Sequence, residues 1–203
     1  MSGLIINNIY EFMTVEPIKD KSKIIILKRY LENNYKIKYF MIFMFGVNTG
    51  LRVGDILKLK VKDIVDLNED FRDYLGLKET KTGKEKKIKI NDSLRALLAN
   101  YIKGLKLNKE DFLFPSSHKK NIVKAMDRRT VWKILKQAAT NVGIENFGTH
   151  TMRKTWGYWS YIESGYNIGL IQSALNHSSP AITLRYIGIN QQQKDDLYNT
   201  VQF

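Results

Sequence analysis

The stretch from Lys36 to Asn48 constrains this chain more than any other, because read as a helix it is apolar on nearly every side. Such a helix has no face to give to water and must be surrounded by the rest of the fold. Gly50 stops it, as glycine does just past a helix end. What surrounds it is also helical. Prolines stand only at 17, 115 and 180, so long helices are permitted over most of the 203 residues. Periodicity predicts an amphipathic helix over 23–33, a further one over 51–59 with Leu51, Ile56 and Leu59 inward, and one over 92–102 capped by Asp92 or Ser93. Others follow over 128–142, 150–164, 168–176, 180–187 and 190–200. Between them, 71–78 and 86–90 read as short strands, joined by Thr80-Lys81-Thr82-Gly83-Lys84 as a hairpin turn. Phe112-Leu113-Phe114-Pro115 reads as an apolar anchor ending in a turn. The fold class is therefore mainly α with a small antiparallel β-sheet, α+β.

Charge narrows the partners. Thirty-three Lys and Arg against 20 Asp and Glu leave +13, with pI about 9.7. A surface this basic calls for a polyanion, most often nucleic acid, although ribosomal and membrane-surface proteins share the feature. No cysteine is present, which excludes disulfides and thiolate metal sites and fits a reducing cytosol. Residues 1–12 lack a basic segment of the signal-peptide kind, and the longest apolar run, Tyr39 to Val47, falls far short of the ~20 residues of a bilayer span. A soluble, cytoplasmic protein with no membrane association is expected. No carboxylate–histidine spacing suits a metal and no glycine-rich loop suits a nucleotide, so neither a metal nor a cofactor is expected.

Six residues fit one chemistry, attack on a phosphodiester: Arg52, Lys81, His150, Arg153, His177 and Tyr186. Guanidinium forks neutralise phosphate oxygens, and a phenol can attack phosphorus. Each has a bland alternative. Arg52 is an exposed arginine in a first turn, unless the helix start and a clamp by Asp55 one turn on make it an anion ligand. His150 and Arg153 share a helix face with Thr149 as cap, yet His-x-x-Arg is common by chance. Lys81 has lysines around it at 78, 84, 86 and 87, and spacing alone does not separate it from Lys84. Tyr186 is one of 11 tyrosines, and its phenolate is accessible only beside cations. Trp156, Tyr158 and Trp159 read as core, and His118 as solvent-exposed. Phosphoryl transfer without metal or ATP has to store bond energy in a covalent intermediate, which agrees with a tyrosine nucleophile.

Asn48-Thr49-Gly50-Leu51-Arg52-Val53-Gly54-Asp55-Ile56-Leu57-Lys58-Leu59 resembles the first arginine motif of the tyrosine recombinases, the phage integrase family. Thr149-His150-Thr151-Met152-Arg153 resembles their second motif, and Leu175-Asn176-His177-Ser178-Ser179 through Tyr186 their third. Order and separation match from about residue 20 to the C-terminus. The resemblance implies that Arg52 and Arg153 bind the scissile phosphate, that His150 assists proton transfer, and that Lys81 protonates the leaving 5′ oxygen. It further implies that His177 fills the histidine-or-tryptophan position and that Tyr186 forms a 3′-phosphotyrosyl bond. The implied partner is double-stranded DNA, on which four protomers assemble, with a monomer or weak oligomer when free. The implied role is site-specific integration, excision or inversion. A type IB topoisomerase or a non-catalytic DNA-binding regulator would share the fold.

This chain departs from the pattern at Asp55, where glutamate is commoner, at Lys154, where histidine often stands, and at Asn176, where glycine is usual. The expected organisation is an N-terminal extension over 1–20, a catalytic domain over 21–187 and a tail helix within 188–203, docking on a neighbour through Leu197, Val201 and Phe203. The ~50 residues ahead of Arg52 are too few for the separate core-binding domain of most members. Either a catalytic-domain-only recombinase, like the fimbrial-switch invertases in length, or a fragment of a longer integrase is expected.

Overall fold

A computed structural model describes residues 15–66, 68, 70–80, 83–116, 124–189 and 198–200. Helix α1 (Lys21–Asn34) leads into α2 (Ile37–Thr49), the short α3 (Val53–Ile56) and a 3₁₀ turn at Val61–Asp63. Strands β1 (Tyr74–Lys78) and β2 (Glu85–Lys89) form an antiparallel hairpin. Helices α4 (Asp92–Leu105), α5 (Arg128–Asn141), α6 (Thr151–Glu163), α7 (Ile168–Leu175) and α8 (Pro180–Tyr186) complete the described residues. No helix among them is long and apolar enough to cross a membrane.

The all-round apolar helix is the axis of this arrangement. α2 packs against α1, α3, α4, α5 and α6, and Phe40, Met41, Ile42, Phe43 and Phe45 are each at most 2% exposed. Burying one such side chain contributes about 1.5–3 kcal/mol, so this helix alone supplies much of the core. The Phe112–Pro115 anchor seats Leu113 and Phe114, both fully buried, with the Phe114 ring edge-on to Phe45. A smaller cluster of Ile171, Leu175, Tyr186 and Ile187 joins α7 to α8, and α6 packs against it.

A close approach locks α6 onto the end of α2. Gly50 caps α2 in the left-handed region at φ 62°, and a Cβ there would lie 2.3 Å from Cε3 of Trp156. Gly50→Ala is therefore expected to lose roughly 2–4 kcal/mol, from the strained conformation and the clash together. Gly104→Ala, in α4 where a Cβ meets nothing within 4 Å, should instead gain a few tenths of a kcal/mol to about 1. Urea midpoints of the two variants check the opposite signs, and equal effects would show that Trp156 does not hold Gly50.

Several expected boundaries shift. The helix expected over 51–59 shrinks to α3, because Gly50 turns the chain and Arg52 is extended (φ −69°, ψ 140°). Beyond α3 the backbone is drawn off by Asp111, whose carbonyl accepts from the Val61 N–H, and by the Lys60–Phe112 bridge. The first strand begins at Tyr74 rather than Phe71, which forms an isolated bridge with Val65. Asn91, not Asp92 or Ser93, caps α4 by accepting from the Leu94 N–H. At α6 the cap position falls on His150, not Thr149, and the Thr151 hydroxyl accepts from the Gly148 N–H instead. Gly83 takes the expected positive φ in the hairpin turn. The tail helix expected over 190–200 lies outside the described residues except 198–200, which are helical, and His118 lies outside them as well.

Residues 15–20 are laid along α6. The Ile18 N–H donates to the Thr155 hydroxyl (2.9 Å), and the Trp159 indole N–H donates to the Ile18 carbonyl (2.9 Å). Lys154 donates to the Val15 carbonyl (2.6 Å), and Lys19 reaches the Gly188 carbonyl (2.7 Å) just past α8. Pro17 packs so closely on Gly188 that a Cβ there would come within 3.0 Å of its ring.

Candidate active site

Three helix ends and the hairpin converge on one place. Arg153, in the first turn of α6, is 2% exposed. Its guanidinium donates through Nη1 to the Gly50 carbonyl (2.5 Å) and through Nη2 to the Leu175 carbonyl (2.8 Å), so one side chain fastens the C-terminal ends of α2 and α7. Arg52, in the extended link before α3, points its side chain at the hairpin, where Nη1 lies 2.8 Å from Oε2 of Glu79. The expected Asp55 clamp on Arg52 is replaced by this pair. The extended backbone at Arg52 aims its side chain away from the helix direction, and Asp55 accepts from the Thr80 N–H (3.1 Å) at the start of the hairpin turn.

His177 follows Asn176, whose left-handed conformation (φ 54°) ends α7 and turns the imidazole inward. Nδ1 of His177 lies 3.2 Å from the Thr183 hydroxyl, and its ring stands edge-on to Tyr186 with centroids 4.8 Å apart. Burial first, then Arg153 and Arg52, push its pKa down to about 4, so it is neutral at neutral pH. α8 is capped by Ser179, whose hydroxyl accepts from the Ile182 N–H, and Pro180 stands in its first turn. It ends on Tyr186, which is 8% exposed. Its Oη lies 3.2 Å from Nδ1 of His150. Burial raises the phenol to about 12, while Arg153 and Arg52 pull it back. The Lys154 ammonium lies 5.4 Å from the centre of the same ring.

Arg52, His150, Arg153, His177 and Tyr186 are thus brought together from four separate stretches of chain. Lys81 lies outside the described residues. Two charged groups that the sequence reading missed, Glu79 and Lys86, also enter the cluster. The Glu79 side chain is fully buried, with Oε1 3.8 Å from Lys86 Nζ and 3.9 Å from Arg153 Nη1. Burial, then repulsion from Arg153, lowers the Lys86 ammonium to about 8. Strand alternation was the available signal: Leu75, Leu77 and Glu79 fall on one face, as do Lys86, Ile88 and Ile90 on its partner. A charged residue in an inward register position is unusual enough to notice.

A cleft of about 300 Å³ opens at this place, lined among others by Arg52, Lys58, Thr80, Arg128 and His150. Two guanidiniums beside a phenol and an imidazole suit an anion whose charge grows as the phenol attacks it, and one such donor is commonly worth 10²–10³ in rate.

The family model described as "Phage integrase family" matches residues 16–193. The chain is 43% identical over 177 residues to the probable integrase/recombinase YoeC of Bacillus subtilis (strain 168), covering 87% of this chain and 91% of that one. It is 32% identical over 152 residues to the tyrosine recombinase XerA of Pyrococcus furiosus, covering 74% of this chain and 50% of the relative. Its fold resembles the crystal structure of XerA recombinase (TM-score 0.69, 21% identity, 93% of this chain and 66% of that one). It also resembles XerH site-specific recombinase bound to a palindromic difH substrate in a post-cleavage complex (TM-score 0.70, 21% identity, 91% and 52%). The chain therefore spans most of YoeC and about half of the XerA relative.

Proposed function

We propose that this chain, which belongs to the phage integrase family, is a site-specific DNA recombinase that breaks and rejoins strands through a phosphotyrosyl intermediate. What carries the reading is the 3.2 Å approach of Tyr186 Oη to His150 Nδ1 in a pocket shared with the Arg153 guanidinium. Arg52 and Arg153 take the non-bridging oxygens of the scissile phosphate and neutralise its charge. The Tyr186 oxygen attacks phosphorus and passes its proton toward His150. The phosphorus–O5′ bond breaks, and the 5′ oxygen leaves with a proton supplied by Lys81. His177, neutral, packs the phenol ring and orients it. Reversal by the 5′-hydroxyl of another strand reseals the backbone, and no ATP is consumed because bond energy is kept in the phosphotyrosine. A free phenol raised to about 12 stays protonated until a substrate completes the pocket.

The partner in this reading is double-stranded DNA. Among structures of the same fold are a lambda integrase dimer on a core site and a lambda integrase tetramer on a Holliday junction. For this chain we extend that to self-association on DNA, a weak oligomer or monomer when free, and a tail over 188–203 that docks on a neighbour. A cytoplasmic location goes with that partner.

The test is incubation with nicked duplexes taken from the DNA around its reading frame, followed by a denaturing gel. A protein band attached to a 3′ DNA end supports the reading. A shift on native gels without adduct would make the protein a binder, and relaxation of plasmid at no defined site would make it a topoisomerase. Salt gives a second measure. The +13 charge and a site built on Arg and Lys predict displacement of counterions, so with about six or more phosphate contacts affinity should fall by roughly 10³ or more between ~50 and ~200 mM salt. A flat response would count against DNA.

A further inference from the structure

The electrostatics of the pocket are balanced before any DNA arrives, and the balance rests on one side chain. We propose that Glu79 is a built-in stand-in for the scissile phosphate: its carboxylate holds the anion seat between Arg52, Arg153 and Lys86 and gives it up when the phosphodiester enters. The inference rests on the recombinase reading only for the identity of the natural anion.

The geometry is that of a replaceable occupant. A carboxylate that is fully buried is tolerated only among compensating charges, and among the described residues Glu79 has three, at 2.8 Å (Arg52), 3.8 Å (Lys86) and 3.9 Å (Arg153). The last two distances exceed hydrogen-bond length, so two oxygens are spread over three cations. Arg52 Nη1 and Lys86 Nζ are shielded from solvent and make no hydrogen bond of good geometry. A phosphate, with its oxygens set tetrahedrally, meets donors arriving from three directions better than a planar carboxylate. Glu79 is also well placed to leave. It follows β1 directly, and because its backbone is held by the hairpin, with the Glu79 N–H donating to the Lys84 carbonyl (2.9 Å), only the side chain has to rotate. Rotation of its carboxylate out of the seat leaves Lys86 beside Arg52 and Arg153 as a third cation for the phosphate.

Thermal unfolding in a titration of inorganic phosphate, with chloride at matched ionic strength as reference, tests the proposal. Glu79→Gln should reach half-maximal stabilisation at about tenfold lower phosphate than the wild type, and Glu79→Asp, with a shorter reach, should gain part of that. A Glu79→Gln protein that folds in phosphate and not in chloride would support the same conclusion. Phosphate dependence unchanged or weakened in both variants would make Glu79 a structural counterion and overturn it. The two readings fail separately. A wild type that forms no adduct removes the recombinase and leaves the tenfold shift standing, whereas a normal adduct beside unshifted titrations removes only the stand-in.

Discussion

Tyr186→Phe is expected to bind DNA with wild-type affinity and to form no covalent adduct, a loss of at least ~10⁴ in cleavage, the scale seen when a nucleophile is deleted. The variant isolates chemistry from folding because of where the ring sits. Tyr186 is 8% exposed and packs with Ile171, Leu175 and Ile187, and phenylalanine keeps that packing and the edge-on contact with His177. What disappears is the hydroxyl near His150, at a cost of about 1 kcal/mol in stability, a hydrogen bond's usual net worth. Adduct trapped by the phenylalanine variant on a nicked duplex would mean that another residue attacks.

Arg153→Ala should damage fold and chemistry together, the largest combined loss of any single change at the site. The guanidinium satisfies the Gly50 and Leu175 carbonyls, and it stands near the otherwise buried Glu79. Truncation leaves both carbonyls unpaired in the interior and removes one counterion of a buried carboxylate, together roughly 2–5 kcal/mol. Where the protein still folds, loss of a charged donor to the phosphate should lower single-turnover cleavage by a further ~10²–10³. Arg153→Lys keeps the charge but has one compact head in place of a fork. It should recover part of the stability and little of the rate. Denaturant midpoints and single-turnover rates measured on the same samples separate the two effects. A lysine variant as active as wild type would show that the fork is not needed.

The reading of the sequence succeeded where a pattern was local. The helix over 36–48 declares itself by composition, and it is the axis of the fold. Arg52, His150, Arg153, His177 and Tyr186 are legible because three short strings carry them in order, and the structure gathers them. The errors arose where tertiary contacts outweighed periodicity. Leu51, Ile56 and Leu59 are all buried, as a helix over 51–59 requires, yet they are buried from an extended link, one turn of helix and a bridging segment. Asp55 and Arg52 have helical spacing, but Arg52 is the extended residue ahead of α3 and its side chain goes to Glu79 instead. The inward register of Glu79 and Lys86 in the hairpin was legible by alternation, but the pairing of Glu79 with Arg52 and Arg153, 27 and 74 residues away (79−52 and 153−79), lies at distances where no local pattern operates.

Pro17 and Gly188 touch, and Lys19 fastens the same spot. Whatever enters the molecule ahead of residue 15 is therefore delivered next door to where the peptide emerges after Tyr186. A cargo or tether grafted at the first position would feel the second, and a pull on either would reach the helix of Tyr186 within a single turn. Two fluorophores, one at each of these exits, would report the motion of that helix as a change in energy transfer.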